Sequence, residues 1–179
     1  YQLMGKIKDE NIEMVQFHQS YSYEDFVQGI RLSEEGTFVQ RNGIFFDFCS
    51  KARRSPDQQF VFIIDEINRG NISKIMGELM MLIEADKRKK QYAIKLTYSN
   101  EDDERFFVPE NVYLIGCMNT ADRSLAIVDY ALRRRFRFCP IKPEFNEAFI
   151  SFLEEKGISQ KNAELVVSKV KAANEVIST

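Results

Sequence analysis

Apolar residues in this chain gather into short unbroken runs and helical stripes, with polar turn residues between them. The clearest run, Phe60-Val61-Phe62-Ile63-Ile64, meets two adjacent carboxylates, Asp65 and Glu66, and Ile67-Asn68-Arg69-Gly70-Asn71 follows. A run of that length bounded by turn residues predicts a strand buried on both faces, as in a parallel sheet. Val112 to Met118 is a second such run, ending in Asn119-Thr120-Ala121-Asp122-Arg123-Ser124, and Ile12 to Phe17 is a shorter third. Between them the pattern predicts a short helix over Tyr23–Ile30 and a hairpin turn at Arg41-Asn42-Gly43, where Asn-Gly is the signal. A helix over Ile44–Arg53 is ended by Pro56. Ser73 is placed to cap a helix to about Ala85, whose stripe is Ile75, Met76, Leu79, Met80, Leu82 and Ile83. Ala93–Tyr98 and Arg105–Val108 read as strands joined by the acidic loop Glu101-Asp102-Asp103-Glu104. A helical stretch from Leu125 to Leu132 closes with Arg133-Arg134-Arg135, and Phe136–Ile141 reads as a last strand. Glu144–Glu155 and Lys161–Ile177 are amphipathic helices. Strands alternating with helices argue for a parallel α/β sheet.

Parallel sheets carry ligand chemistry at the carboxyl ends of their strands, where Asp65 and Glu66 fall. The segment looks like a Walker B motif, in which Asp65 holds Mg²⁺ through water and Glu66 polarises the water attacking a γ-phosphate. The plainer reading is a buried strand that ends in a solvated acidic turn. Asn119 ends the second strand, where an uncharged amide can orient a water without adding negative charge, the sensor 1 role. The arginine triplet suits a finger that stabilises charge in phosphoryl transfer, although arginines also favour any helix end through the macrodipole.

Four strings together resemble the McrB family of AAA+ NTPases: Phe17-His-Gln-Ser-Tyr-Ser-Tyr-Glu-Asp-Phe26, Asp65-Glu-Ile-Asn-Arg-Gly-Asn71, Met118-Asn-Thr-Ala-Asp-Arg-Ser124 and Ala131-Leu-Arg-Arg-Arg-Phe136. The resemblance covers about residues 12 to 145, and the Asn-Thr-Ala-Asp-Arg-Ser string is its most specific part. It implies an AAA+ P-loop NTPase sheet in the order 5-1-4-3-2, over residues 1–142, with a C-terminal helical lid beginning at 143–179. It also implies a GTP- or ATP-hydrolysing subunit of a restriction system, working as a ring, expected to be a hexamer. A McrC-like nuclease subunit is the implied partner, with DNA bound through a separate N-terminal domain. Arg134 and Arg135 would reach a neighbour's γ-phosphate, with Arg133 a surface or packing residue. Asp122 and Arg123 belong to the signature, at the nucleotide or in an interface ion pair. Arg69 stands open between a neighbour's nucleotide and its own loop. The competing readings are a MoxR-type AAA+ chaperone and a non-catalytic binding module.

One departure qualifies the match. The eight glycines include no Gly-x-x-x-x-Gly-Lys-Ser/Thr, the loop whose amides and lysine grip phosphates. The chain is therefore expected to be a piece of a longer protein, lacking strand one and the P-loop and inactive alone. The missing strand would leave a gap between the Phe136 and Asn119 strands, with unpaired edge and exposed apolar surface.

Composition adds bounds. At 179 residues and 44% apolar content the chain can bury one real core. A net charge of −2 gives no general attraction to nucleic acid or anionic membrane. The three cysteines lack Cys-x-x-Cys spacing, and Cys117 and Cys139 read as reduced core residues. Lys87-Arg88-Lys89-Lys90 reads as a solvated helix end. His18, the single histidine, has no companions for zinc. No bilayer-spanning run or signal peptide appears, and the expected location is the cytoplasm.

Overall fold

The computed structural model describes residues 7–119, 130–141 and 143–178. It divides into two compact units, Tyr1–Arg137 and Phe138–Thr179. The first is built on three strands: β1 (Ile12–Gln16), β4 (Phe60–Asp65) and β5 (Val112–Gly116). All run parallel in the order β1-β4-β5, which puts the run ending in Asp65 at the centre. This is the 4-3-2 portion of the expected AAA+ order.

The parallel register sorts the strands' side chains by face. Phe60, Phe62, Ile64, Val15 and Val112 lie on one face and are buried. Helices cover that face: the single turn α1 (Tyr23–Phe26) and α2 (Ile44–Arg54), whose Phe45, Phe48, Cys49 and Ala52 recur at helical spacing. Phe62 meets Phe26, Phe45 and Phe48 edge-on at 5.7, 5.0 and 5.1 Å, and Phe26 stacks on Phe45 at 4.9 Å. Edge-to-face and offset contacts of this kind suit the aromatic quadrupole, so phenylalanines fill the space between sheet and helices.

The opposite face departs from the expectation of burial on both sides. Val61 is buried there, but Met14, Tyr113 and Ile115 are 57%, 48% and 41% exposed. Cys117 and Cys139 are exposed as well, contrary to their reading as core residues, and only Cys49 is buried. Their runs have the composition of interior strands, but β5 is a sheet edge here. Phe136–Ile141 likewise forms no strand.

Residues 28–42 form a second departure. β2 (Gln28–Leu32) and β3 (Phe38–Asn42) are an antiparallel hairpin whose turn is Ser33–Thr37, closed by Ser33 N donating to Thr37 O at 2.7 Å. The predicted helix to Ile30 therefore stops at Phe26, and Asn42-Gly43 is no turn. Gly43 N donates to Val27 O at 2.7 Å, and a Cβ on Gly43 would sit 2.4 Å from the Phe26 carbonyl carbon. Close backbone approach, not turn geometry, demands this glycine.

The predicted helix over residues 73–85 is two pieces, α3 (Ile72–Met76) and α4 (Leu79–Leu82). Asn71, not Ser73, is the cap, its Oδ1 accepting from Lys74 N at 3.0 Å. Gly77, at φ 48° and ψ −127°, separates the pieces. The apolar stripe was read correctly, since all six of its residues are buried. The two strands predicted around the acidic loop reduce to one antiparallel bridge, Ile94 with Phe106. Arg88 is not a solvated helix end: it is half-buried and donates to Ile83 O at 2.9 Å and Val112 O at 2.7 Å. In the second unit, α6 (Glu147–Glu155) is capped by Asn146 and packs on α7 (Gln160–Ser178), burying Ala163 and Val167. The last element of the first unit, α5, is described over Tyr130–Arg133.

Candidate active site

The site forms where the three strands end together. Gln16 is the register partner of Asp65, and its Nε2 donates to Asp65 Oδ2 at 3.3 Å. Phe17 N donates to Asp65 O at 2.9 Å, so β1 holds the carboxylate's backbone and side chain together. On the other side, Ile64 is the partner of Gly116. Cys117 N donates to Ile64 O at 2.8 Å, and Ile67 N donates back to Cys117 O at 2.9 Å. Two bonds through one residue stitch the Glu66–Arg69 turn to the segment that carries Asn119. Gly116 leaves room for the Ile67 side chain, since a Cβ there would lie 2.7 Å from Ile67 Cδ1. Asn119, exposed, stands three residues beyond Gly116.

Glu66 has the single positive φ among the described non-glycine residues, 49°. A left-handed conformation costs an ordinary residue about 1 kcal/mol, and such strain clusters at functional sites. The turn closes with Arg69 N donating to Glu66 O at 2.9 Å. Arg69 Nε lies 3.2 Å from Glu66 Oε2. That oxygen is shielded from solvent and has no aligned hydrogen bond, so the contact is an ion pair alone. Asn68 Oδ1 in the same turn is also buried without a hydrogen bond. Neither the Gln16–Asp65 bond nor the Arg69–Glu66 pair was read from the sequence. The first follows once the ends of the two runs are aligned in parallel; the second depends on a backbone angle that no residue pattern announces.

The arginines separate by environment. Arg133 and Arg134 are exposed. Arg135 is turned into its own unit: Nη2 is 2.7 Å from Glu84 Oε1, Nε donates to Met80 O, and the side chain is 10% exposed. The expectation that Arg134 and Arg135 both reach outward thus narrows to Arg134. Arg133 ends α5 and Arg134 and Arg135 form the turn after it, so neighbouring side chains point in different directions. Asp122 and Arg123 lie outside the described residues.

A magnesium ion bound with nucleotide takes one or two carboxylates, several waters and phosphate oxygens. Asp65, half-buried at a strand end with one oxygen steadied by Gln16, fits that donor set. Among the described residues no cluster of three or more His, Cys, Asp or Glu could hold a metal by protein ligands alone. No helix among them is long and apolar enough to cross a membrane.

The family model described as AAA domain (dynein-related subfamily) matches residues 2–136. The chain is 53% identical over 179 residues to the Type IV methyl-directed restriction enzyme EcoKMcrB subunit of Escherichia coli (strain K12), across 99% of this chain and 39% of that subunit. It is 30% identical over 105 residues to the Type II restriction enzyme BsuMI component YdiS of Bacillus subtilis (strain 168), across 54% of this chain and 31% of that protein. The chain thus spans less than half the length of the curated relatives it matches.

Proposed function

We propose a function for this chain from the premise that it belongs to the AAA domain family, dynein-related subfamily. It forms the Walker B, sensor and arginine-finger portion of a nucleotide triphosphatase that drives a McrB-type restriction system in the cytoplasm. The carrying observation is the register at the carboxyl end of the sheet, which sets Asp65, Glu66 and the Asn119 segment side by side. Paired carboxylates beside an amide suit nucleotide hydrolysis and have no evident use in a binding module. Both matched relatives are named as restriction enzymes, which favours restriction over the chaperone reading.

In this proposal Asp65 anchors Mg²⁺ with GTP or ATP, and the ion neutralises charge on the phosphates. Glu66 polarises the attacking water and Asn119 orients it. Arg134 reaches the nucleotide of the neighbouring subunit in a ring, a hexamer by family resemblance, and Asp122 and Arg123 act at that interface. Residues 143–179 begin the helical lid. A McrC-like nuclease subunit is the partner, and DNA is met through a separate domain.

The test is a pair of variants in the complete protein. Glu66→Gln should bind GTP or ATP as the native protein does while turnover drops by about 10²-fold or more, since positioned acid–base groups contribute that much. Asp65→Asn should instead weaken Mg²⁺-dependent nucleotide binding. Native turnover in Glu66→Gln would remove Glu66 from the mechanism.

A further inference from the structure

A carboxylate that anchors a metal must present its oxygens in a steady orientation, yet the terminal torsion of an aspartate is broad and roughly two-fold. Among the described residues, the one hydrogen bond to the Asp65 carboxylate comes from Gln16, whose Nε2 donates to Oδ2 at 3.3 Å. The backbone builds this pairing. Gln16 and Asp65 are register partners at the last positions of adjacent parallel strands, and Phe17 N donates to Asp65 O at 2.9 Å just beyond them. Register partners project from the same face of neighbouring strands, roughly 5 Å apart, and a glutamine is long enough to cross that gap. A carboxylate only accepts, so the amide turns its nitrogen toward it. The amide also brings no charge. A lysine or arginine there would hold the carboxylate by neutralising it, in competition with a cation, whereas Gln16 engages Oδ2 and leaves the negative charge for the ion.

We propose that Gln16 is a positioning residue for the metal: it fixes the rotation of the Asp65 carboxylate and so sets the Mg²⁺ concentration at which nucleotide binds. The proposal rests on the assignment of Asp65 as the Mg²⁺ anchor. Hydrogen-bond partners of metal-ligating groups contribute about tenfold to a hundredfold in metal affinity. Gln16 is exposed and its bond is long, which sets its contribution at the lower end of that range.

Calorimetry of non-hydrolysable GTP and ATP analogues binding to the complete protein, in EDTA and across a series of free Mg²⁺ concentrations, tests it. Gln16→Met keeps the length of the side chain and loses the donor. It should raise the Mg²⁺ concentration for half-maximal enhancement of binding about tenfold, with the affinity in EDTA within about twofold of native. In an Asp65→Asn background, Gln16→Met should change the affinity at no Mg²⁺ concentration, because the residue acts through that carboxylate. Equal losses of affinity with and without Mg²⁺ would make Gln16 a structural residue of the strand end and overturn the proposal. If Asp65→Asn abolishes the Mg²⁺ enhancement while Gln16→Met keeps the native requirement, the positioning role is wrong and the anchor stands. If Asp65→Asn keeps the native enhancement, the anchor falls and the proposal falls with it.

Discussion

Arg134 and Arg135 are adjacent in sequence and opposite in environment, and substitutions should separate them. Arg135 is nine-tenths buried against Glu84 and the Met80 carbonyl, so Arg135→Ala leaves a carboxylate and a carbonyl without their charged partner. Lost hydrogen bonds to charged groups cost about 1–3 kcal/mol, and chemical denaturation should show a loss of that size. Arg134→Ala should leave the unfolding midpoint within about 0.5 kcal/mol of native, as exposed substitutions do. In the complete protein, however, it should abolish turnover of rings made of that variant alone. Mixed with Glu66→Gln subunits it should regain activity, because each supplies what the other lacks at shared interfaces. Mixed rings that form but stay inactive would return Arg134 to being a charged helix terminus. The sequence showed three arginines in a row and could not rank them. The ranking came from Glu84, which lies far upstream in sequence and joins Arg135 only through the tertiary fold.

At the scale of elements, legibility followed how local the determining contact is. The strands at Phe60 and Val112 and the helices α2, α6 and α7 were readable because composition and period act within each segment. Gly43 and Gly77 misled because their reasons lie elsewhere: the α1 backbone crowds Gly43, and the Tyr23 ring lies 3.1 Å from where a Cβ of Gly77 would sit. Asn111 was missed entirely. Its Nδ2 donates to Ala52 O and Ser55 O at 3.1 Å and to Gln58 O at 2.8 Å, while Phe60 N donates to Asn111 O at 2.9 Å. It therefore serves the carbonyls that the end of α2 leaves open and ties that end to the start of β4. Asn111→Ala strips these carbonyls of a shared donor and should cost about 1–3 kcal/mol. Thermal unfolding of the variant should show it as a lowered midpoint, and an unchanged midpoint would mean that water replaces the amide without loss.

At the scale of the molecule, the sequence supplies, in the proposed function, the metal-anchoring and water-directing side of a nucleotide site, whereas no Gly-x-x-x-x-Gly-Lys-Ser/Thr loop for gripping phosphate occurs in it. The 179-residue polypeptide alone should therefore show no measurable NTP hydrolysis and only weak nucleotide binding. Calorimetry with GTP and ATP, each with Mg²⁺, checks this, and micromolar affinity for either would mean that phosphate is held elsewhere. On the open sheet face Met14, Tyr113 and Ile115 carry exposed apolar surface. Fold class and the order of the site segments were legible because their strands are continuous runs. The state of the exposed face was not, since it depends on which elements are present to pack against it. The two hydrogen bonds through Cys117 also bear on how such a protein can be recombined. Residues 60–71 and 112–119 are separate in sequence but make one inheritable block. A chimera that imports the first from a relative and keeps its own second would have to satisfy Ile64, Ile67 and Gly116 at once, so crossovers that survive should fall before residue 60 or after residue 119.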